Sequence, residues 1–216
     1  MIPVLFDLDG TLIDSLPNIG EAANVILQAR NLPALPPSVV ATFVGLGEEV
    51  FVDRLIAATD LPTTDRDTIM QQFISEYKRV AQDTRCFPGV SRALGALKAR
   101  GAKMGIVTNK PRAPMQPTLE AAELTSFFDV VVAGDDLPTR KPDAAPLRHA
   151  MAELGAVNCV YIGDTPIDAE TARASAVPFG LFTEGIRTVP IKDIHHDFAF
   201  DHFDNLIGTL EQNGAL

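Results

Sequence analysis

The chain has 216 residues, of which 46% are apolar, and this proportion supports a complete hydrophobic core and excludes a disordered polypeptide. Its formal net charge of −10 and its pI of about 4.8 argue against binding to duplex nucleic acid or to an acidic membrane surface, because both require clustered Lys and Arg. A small anionic substrate is compatible with this charge if a metal ion or a local Lys reverses the field.

Cysteine usage and the N-terminal residues fit a reducing cytosol. Cys86 and Cys159 form neither a C-x-x-C motif nor a metal-ligand spacing, so we interpret both as small buried or half-buried side chains. No basic segment precedes an apolar stretch, and Asp7 ends the first apolar run early. We therefore expect no signal peptide, no membrane span and a cytoplasmic location.

The first predicted element is a strand over Ile2–Phe6 that leads into Asp7 and Asp9. Alternation along an extended chain puts residues i and i+2 on the same side, so the two carboxylates would face one space. Asp9-Gly10 alone is equally typical of a hairpin turn. The remainder of the chain has to decide between a turn and a site.

From about residue 17 to about residue 82 the apolar pattern is helical, and no strand is predicted. The apolar residues recur at three- and four-residue steps, as in Ile19, Ala22, Ala23, Ile26 and Leu27. A hairpin needs a second strand directly after the turn, and none is predicted here. We therefore discard the hairpin interpretation of Asp9-Gly10. We predict that residues 16–85 form an inserted α-helical domain and that residues 1–15 and 86–216 form the core domain.

After Cys86 the pattern changes to strands that alternate with helices. The apolar runs that predict strands are KMGIVTN, FFDVVVAGDD, NCVYIGDT and VPFGLFT, and predicted helices lie around Leu94, through Leu119, over Ala144–Leu154 and from about Asp168 to Ala174. This alternation indicates an α/β fold with a parallel sheet that is covered on both faces. Ligands of such sheets bind at the carboxyl ends of the strands.

Polar and charged residues collect at these strand ends. They are Asp7, Asp9, Thr108, Asn109, Lys141, Asp164 and Asp168. Two like charges about 4 Å apart repel each other by about 4 kcal/mol at an effective dielectric of about 20, so the carboxylates require a neutralising partner. Carboxylate oxygens are suitable ligands for Mg²⁺, and the pattern therefore predicts this ion as the cofactor.

The same residue types suit phosphoryl chemistry. A carboxylate can attack phosphorus and form an aspartyl-phosphate, while a second acid protonates the leaving oxygen and later deprotonates water. The two acids need separated pKa values, which metal coordination of Asp7 but not of the Asp9 side chain would provide. Thr108 and the backbone N–H of Asn109 can donate to phosphoryl oxygens, and Lys141 can screen the anionic substrate.

The motifs DLDGTLIDS, TNK, KPD and GDTPID, in this order, resemble the four motifs of the haloacid dehalogenase superfamily. The segments FVGLGEEV, FPGV, TNKP and AGDDLPTRKPDAAPL are similar to its phosphoglycolate phosphatase branch. The resemblance implies a Rossmann-like, doubly wound core with a helical cap, and a Mg²⁺-dependent phosphatase. By position it implies that Asp7 is the nucleophile and Asp9 the general acid and base. It also implies that Thr108, Asn109 and Lys141 bind phosphate.

The resemblance further implies a metal site, a specificity loop and a substrate class. Mg²⁺ would be held by the carboxylates of Asp7 and Asp164 and by the backbone carbonyl of Asp9, with Asp168 either behind these ligands or among them. The cap loop that selects the substrate would be Gly45, Leu46 and Gly47, where the family often has Gly-Asn-Gly. The expected substrate is a small phosphorylated metabolite, with 2-phosphoglycolate as the first guess.

Three alternatives accompany this interpretation. A dehalogenase is disfavoured, since dehalogenases of this superfamily lack an acid at the position of Asp9. A sugar phosphomutase of the β-phosphoglucomutase type would use the same acids, and FVGLGEEV argues only mildly against it. The third is a non-catalytic phosphate-binding regulatory protein. Lys110 is interpreted as a solvated loop side chain, with contact to phosphate as the alternative. Oligomeric state is not predicted.

Overall fold

The computed structural model describes residues 2–215. Its strands are β1 (Val4–Phe6), β2 (Ile13–Asp14), β3 (Arg85–Cys86), β4 (Met104–Val107), β5 (Val130–Val132), β6 (Val160–Gly163), β7 (Phe179–Phe182) and β8 (Phe198–Phe200). Six of them form one sheet in the order β5-β4-β1-β6-β7-β8, and every pairing within it is parallel. The predicted α/β fold with a parallel, Rossmann-like sheet is confirmed.

The central strands are buried on both faces, as their apolar sequences predict. The helices are α1 (Leu16–Gln28), α2 (Pro37–Val40), α3 (Glu48–Ala57), α4 (Arg66–Val80), α5 (Val90–Ala99), α6 (Arg112–Ala121), α7 (Ala145–Glu153), α8 (Pro166–Ser175) and α9 (Leu206–Gln212). Alternation along β1 sends Val4 and Phe6 into one apolar cluster with α5, α6 and α9, and Leu5 into another with α7 and α8. The sheet therefore lies between two helical layers.

Residues 16–83, called the helical block below, contain helices only: α1 to α4 and three short 3₁₀ segments. Their buried apolar side chains form a cluster of their own, in which Phe51, Phe73 and Tyr77 pack as a row. The chain leaves and re-enters the sheet layer through the antiparallel pair β2–β3, where Ile13 faces Cys86. This ribbon brings both connections of the helical block to one point next to the end of β1.

Three features differ from the sequence-based expectations. β8 and α9 were not predicted, because Phe198–Phe200 is a short run between acids and the following segment is polar. A tight turn follows β1 after all, with Gly10 N–H donating to the Ile13 carbonyl at 2.9 Å, but the partner strand of β2 comes from the far side of the helical block.

Within residues 2–215, no helix combines the length and the apolar character needed to span a bilayer.

Candidate active site

The sheet brings the predicted residues together at the carboxyl ends of three neighbouring strands. Asp7 follows β1, Thr108 follows β4 and Asp164 follows β6, and β1 pairs with both of the other strands. The Asp7 N–H donates to the Ile162 carbonyl at 2.8 Å, which extends the ladder up to the carboxylate. Parallel pairing thus places side chains from distant parts of the sequence at one edge.

Lys141 connects two of the acids. Its Nζ lies 2.8 Å from Asp7 Oδ1 and 2.7 Å from Asp168 Oδ1, and it donates to the Tyr161 hydroxyl at 2.9 Å. The side chain is 2% exposed, and burial opposes its charge, but Asp168 and Asp7 hold the pKa of Lys141 above its ordinary value. This lysine is therefore a permanent cation inside the site.

Asp168 is surrounded by protein donors. Its Oδ2 accepts from the Thr165 N–H at 3.0 Å, the Thr165 hydroxyl at 2.6 Å and the Asp164 N–H at 3.3 Å, and its Oδ1 accepts from Lys141 and from Tyr161. With Thr165 it forms the capping box that starts α8. A carboxylate offers about four lone-pair directions, so these donors occupy the hydrogen-bonding capacity of Asp168.

Asp7 and Asp164 retain capacity for a cation. Oxygens of Asp7, Asp164 and Asp168 lie within 4.8 Å of one another, and this is the one group of possible metal ligands found in the described residues. Asp164 accepts one bond at each oxygen, from the Thr11 hydroxyl and the Ile186 N–H, both at 2.7 Å. Asp7 Oδ1 is buried and faces the Lys141 ammonium at 2.8 Å, with no other hydrogen-bond partner within residues 2–215.

Burial is the largest cause of the raised pKa values of Asp7 and Asp164, and the negative charge of Asp168 adds to both shifts. Burial raises the pKa of Asp7 to about 7, against the pull of Lys141, and raises the pKa of Asp164 well above its usual range. Gly10 is required beside them, because its φ is +83° and a Cβ would lie 2.3 Å from Asp164 Oδ2. Buried carboxylates with free lone pairs and raised pKa values fit a hard divalent cation such as Mg²⁺.

Thr108 and Asn109 lie at the turn after β4. Thr108 is buried, and its hydroxyl oxygen accepts from the Lys110 N–H at 3.2 Å. The Asn109 amide donates to the Lys141 carbonyl at 3.0 Å and to the Gly45 carbonyl at 2.9 Å. Asn109 therefore fixes the Lys141 loop and also joins the sheet edge to the helical block.

The expectation that the Lys110 side chain is solvated is wrong. It is 5% exposed, and its Nζ lies 3.0 Å and 3.3 Å from the two carboxylate oxygens of Asp9. It also contacts the hydroxyl of Tyr77, whose ring centroid is 4.0 Å from the ammonium. Apolar periodicity alone does not single out Tyr77 as a site residue. The missed signal is its hydroxyl, because a buried tyrosine needs a polar partner.

One cleft is lined by most of these groups, although not by Asp164 or Asp168. The sheet edge contributes Asp7, Asp9, Thr108, Asn109, Lys110 and Lys141, and the helical block contributes Ile19, Val44, Gly45, Gly47, Glu48, Phe51, Phe73 and Tyr77. Of the predicted cap loop, Gly45 and Gly47 line the cleft. The Leu46 side chain does not, and its carbonyl accepts from Arg140 at 3.5 Å. Glu48 was missed; it is buried, and its Oε2 has no partner within residues 2–215.

Comparison with known proteins identifies the class of this fold and site. The profile of the haloacid dehalogenase-like hydrolases matches residues 4–182. A phosphoglycolate phosphatase of Cereibacter sphaeroides is 38% identical over 97% of each chain, and one of Rhodobacter capsulatus is 38% identical over 98% of each. The crystal structure of a predicted phosphoglycolate phosphatase from Haemophilus somnus 129PT superposes with a TM-score of 0.90, at 30% identity over 96% of this chain and 97% of the other.

The chain therefore belongs to the haloacid dehalogenase-like hydrolases. The resemblance drawn from the four motifs is confirmed, and so is the expected enzyme class, a phosphoric monoester hydrolase.

Proposed function

We propose that this enzyme is a Mg²⁺-dependent phosphatase that cleaves a small phosphomonoester through an aspartyl-phosphate on Asp7. The environment of Asp7 is the observation that supports this proposal. Its carboxylate sits at the end of β1, and Oδ1 has no hydrogen-bond partner within the described residues other than the Lys141 ammonium, 2.8 Å away. Such a carboxylate is fixed in place and keeps a free lone pair for attack on phosphorus.

The site residues have distinct roles in this proposal. Asp7 and Asp164 would hold Mg²⁺ by their carboxylates, with the backbone carbonyl of Asp9 as a further ligand, and the bound ion supplies positive charge next to the transferring phosphoryl group. Thr108 and Lys141 bind the phosphoryl oxygens and keep them in line with Asp7. Asp168 keeps Lys141 charged and oriented rather than touching the metal.

The reaction has two halves. In the first, an oxygen of Asp7 forms a bond to phosphorus while the bond to the leaving alcohol breaks, and Asp9 gives its proton to that alcohol oxygen. In the second, Asp9 takes a proton from water, the resulting hydroxide bonds to phosphorus, and the Asp7–phosphorus bond breaks. Free phosphate and the original carboxylate of Asp7 result.

We assign the choice of substrate to the helical block. Residues 16–85 act as a cap on the core formed by residues 1–15 and 86–216, and the loop Gly45–Gly47 contacts the leaving group. Apolar side chains such as Ile19, Phe51 and Phe73 limit the size of the cleft on this side. The first substrate to test is 2-phosphoglycolate, since it is the substrate in the names of relatives 38% identical over nearly the whole chain.

A panel of small phosphate esters with Mg²⁺ tests this function. Wild type should release phosphate from at least one ester, and Asp7→Asn should abolish release, whereas Asp14→Asn, an exposed acid in the same segment, should not. Rapid quenching with borohydride should trap the aspartyl-phosphate at Asp7. Near-native turnover by Asp7→Asn would overturn the nucleophile, and weak, even activity across the panel would overturn 2-phosphoglycolate alone.

A further inference from the structure

The carboxylate of Asp9 is held from two parts of the fold. Lys110 reaches it from the turn after β4, with its Nζ 3.0 Å and 3.3 Å from the two oxygens. Tyr77 reaches it from α4 of the helical block, with its hydroxyl 3.3 Å from Oδ1. These two groups leave only 15% of the Asp9 side chain exposed, in the cleft.

Lys110 and Tyr77 depend on each other. The Lys110 ammonium contacts the Tyr77 hydroxyl and lies 4.0 Å from the ring centroid, a cation–π distance. The lysine side chain is 2% exposed, so these contacts and Asp9 replace its hydration. The Tyr77 hydroxyl in turn donates to Asp9 Oδ1 at 3.3 Å.

Tyr77 itself is fixed by the core of the helical block. It is 3% exposed and stacks on Phe73 with ring centroids 5.7 Å apart, and Phe73 stacks on Phe51 at 4.6 Å. The hydroxyl therefore reaches Asp9 only while the helical block rests on the sheet edge. Asn109, which donates to the Gly45 carbonyl, secures the same contact from the other side.

We propose that Tyr77 and Lys110 are positioning residues that hold the Asp9 carboxyl at the leaving-group oxygen, so that proton transfer requires the helical block to be in place. This inference rests on the proposed role of Asp9 as acid and base. A general acid must lie within about 3.2 Å of the oxygen that it protonates, and a free aspartate side chain rotates among rotamers. Two contacts from different directions restrict this rotation.

The leaving group separates positioning of the acid from general damage to the fold. The alcohol released from an alkyl phosphate such as 2-phosphoglycolate must be protonated as it departs. Acetate, released from acetyl phosphate, is stable as an anion and needs no proton, and acetyl phosphate is as small as 2-phosphoglycolate. A poorly positioned acid therefore slows cleavage of the alkyl ester and spares that of acetyl phosphate.

The experiment measures kcat and KM for both esters at saturating Mg²⁺ in Tyr77→Phe, Lys110→Met and Asp9→Asn, with Met70→Leu on α4 as the matched control. We expect Tyr77→Phe and Lys110→Met to lower kcat on the alkyl ester by roughly tenfold or more, with KM and the acetyl phosphate rate changed less than about threefold. Thermal melting establishes that each variant is folded.

A double-mutant cycle completes the test. Adding Tyr77→Phe to Asp9→Asn should lower kcat no further, because the group to be positioned is gone. Equal losses on both esters, or additive losses in the double mutant, would overturn the inference while Asp9→Asn still discriminates between the esters. If Asp9→Asn slows both esters equally, the acid role in the proposed function fails and the positioning role fails with it.

Discussion

Two buried lysines pair with different acids in the cleft. Lys141 lies between Asp7 and Asp168, and Lys110 pairs with Asp9 next to the helical block. Each ammonium is almost completely buried and depends on neighbouring carboxylates, so removal of a carboxylate weakens the compensation of a buried charge. The two pairs are therefore sensitive to single substitutions in a way that surface ion pairs are not.

Asp168→Asn tests the ion pair between Lys141 and Asp168. The substitution removes the charge that holds Lys141 and weakens the capping box of α8. We expect the free energy of unfolding to fall by roughly 3 kcal/mol and phosphate release to be lost, as measured by urea denaturation and by phosphate assay. Glu170→Gln, an exposed acid on the same helix, is the control and should change neither quantity appreciably.

Glu48 gives stability a specific pH dependence. Burial raises its pKa from 4.5 to about 7, while Lys110 opposes the shift. Between these values the folded chain keeps a proton that the unfolded chain has lost, so stability falls as the pH rises through this window and the loss is complete above about pH 7. Glu48→Gln removes this titration.

The variant should therefore be more stable relative to wild type at about pH 8 than at about pH 5, by roughly 1–3 kcal/mol in urea unfolding. Glu49→Gln, the exposed neighbour, should show the same difference from wild type at both pH values. A Glu48→Gln variant with a pH-independent difference would contradict the shifted pKa.

The positions of Asp7, Asp9 and Asp164 at the sheet edge were predictable, because a residue at the end of a buried strand is recognised from its immediate neighbours. The contacts of Lys110 were not predictable, because the partners of this lysine lie far away in the chain, Tyr77 on α4 and Asp9 after β1. Their meeting depends on how α4 rests against the sheet edge. Local periodicity carries no information about that packing.

At the scale of elements, the same reasoning explains which boundaries were predicted. The buried strands β4, β6 and β7 are continuous apolar runs bounded by polar residues, and they lie inside the predicted segments. α8 begins at Pro166 rather than near Asp168, because Thr165 caps it and proline suits the first turn. β8 is an edge strand of alternating burial, and a run this short has little periodicity to detect.

Two Gly→Ala substitutions, one in the connection after β5 and one in α5, should have opposite outcomes. A Cβ at Gly134 would lie 2.1 Å from the Asn109 carbonyl oxygen, whereas a Cβ at Gly95, inside α5, would meet no atom of residues 2–215 within 4 Å. Gly134→Ala should displace Asn109, and with it the Lys141 loop, and lower kcat by roughly tenfold or more. Gly95→Ala should leave kcat unchanged and raise the free energy of unfolding by about 0.5–1 kcal/mol.

Kinetic assay and urea denaturation of both variants test this contrast. Retention of full activity in Gly134→Ala would contradict the proposed importance of the Asn109 turn. Destabilisation by Gly95→Ala would contradict the open space described around α5.

At the scale of the whole molecule, the negative charge is unevenly arranged. The chain carries a net charge of −10, yet the cleft concentrates two buried lysines among its acids. Asp7 and Asp164 are buried with raised pKa values, so the folded state without a cation keeps carboxyl groups in an unfavourable environment. A divalent cation bound there removes part of that unfavourable energy and binds the folded state in preference to the unfolded chain.

Mg²⁺ should therefore raise the melting temperature in proportion to the logarithm of its concentration. At about 100 times its dissociation constant the gain is about 2.7 kcal/mol, or roughly 5–10 °C for a chain of this length.

Asp164→Asn should lose most of this shift in melting temperature. Asp193→Asn, an exposed acid outside the cleft, should keep it. Asp9→Asn should keep it as well, since the proposed ligand there is a backbone carbonyl. An equal shift in Asp164→Asn and wild type would place the ion elsewhere, whereas a shift lost in both Asp164→Asn and Asp9→Asn would make the Asp9 side chain a ligand and leave the enzyme without its proposed acid.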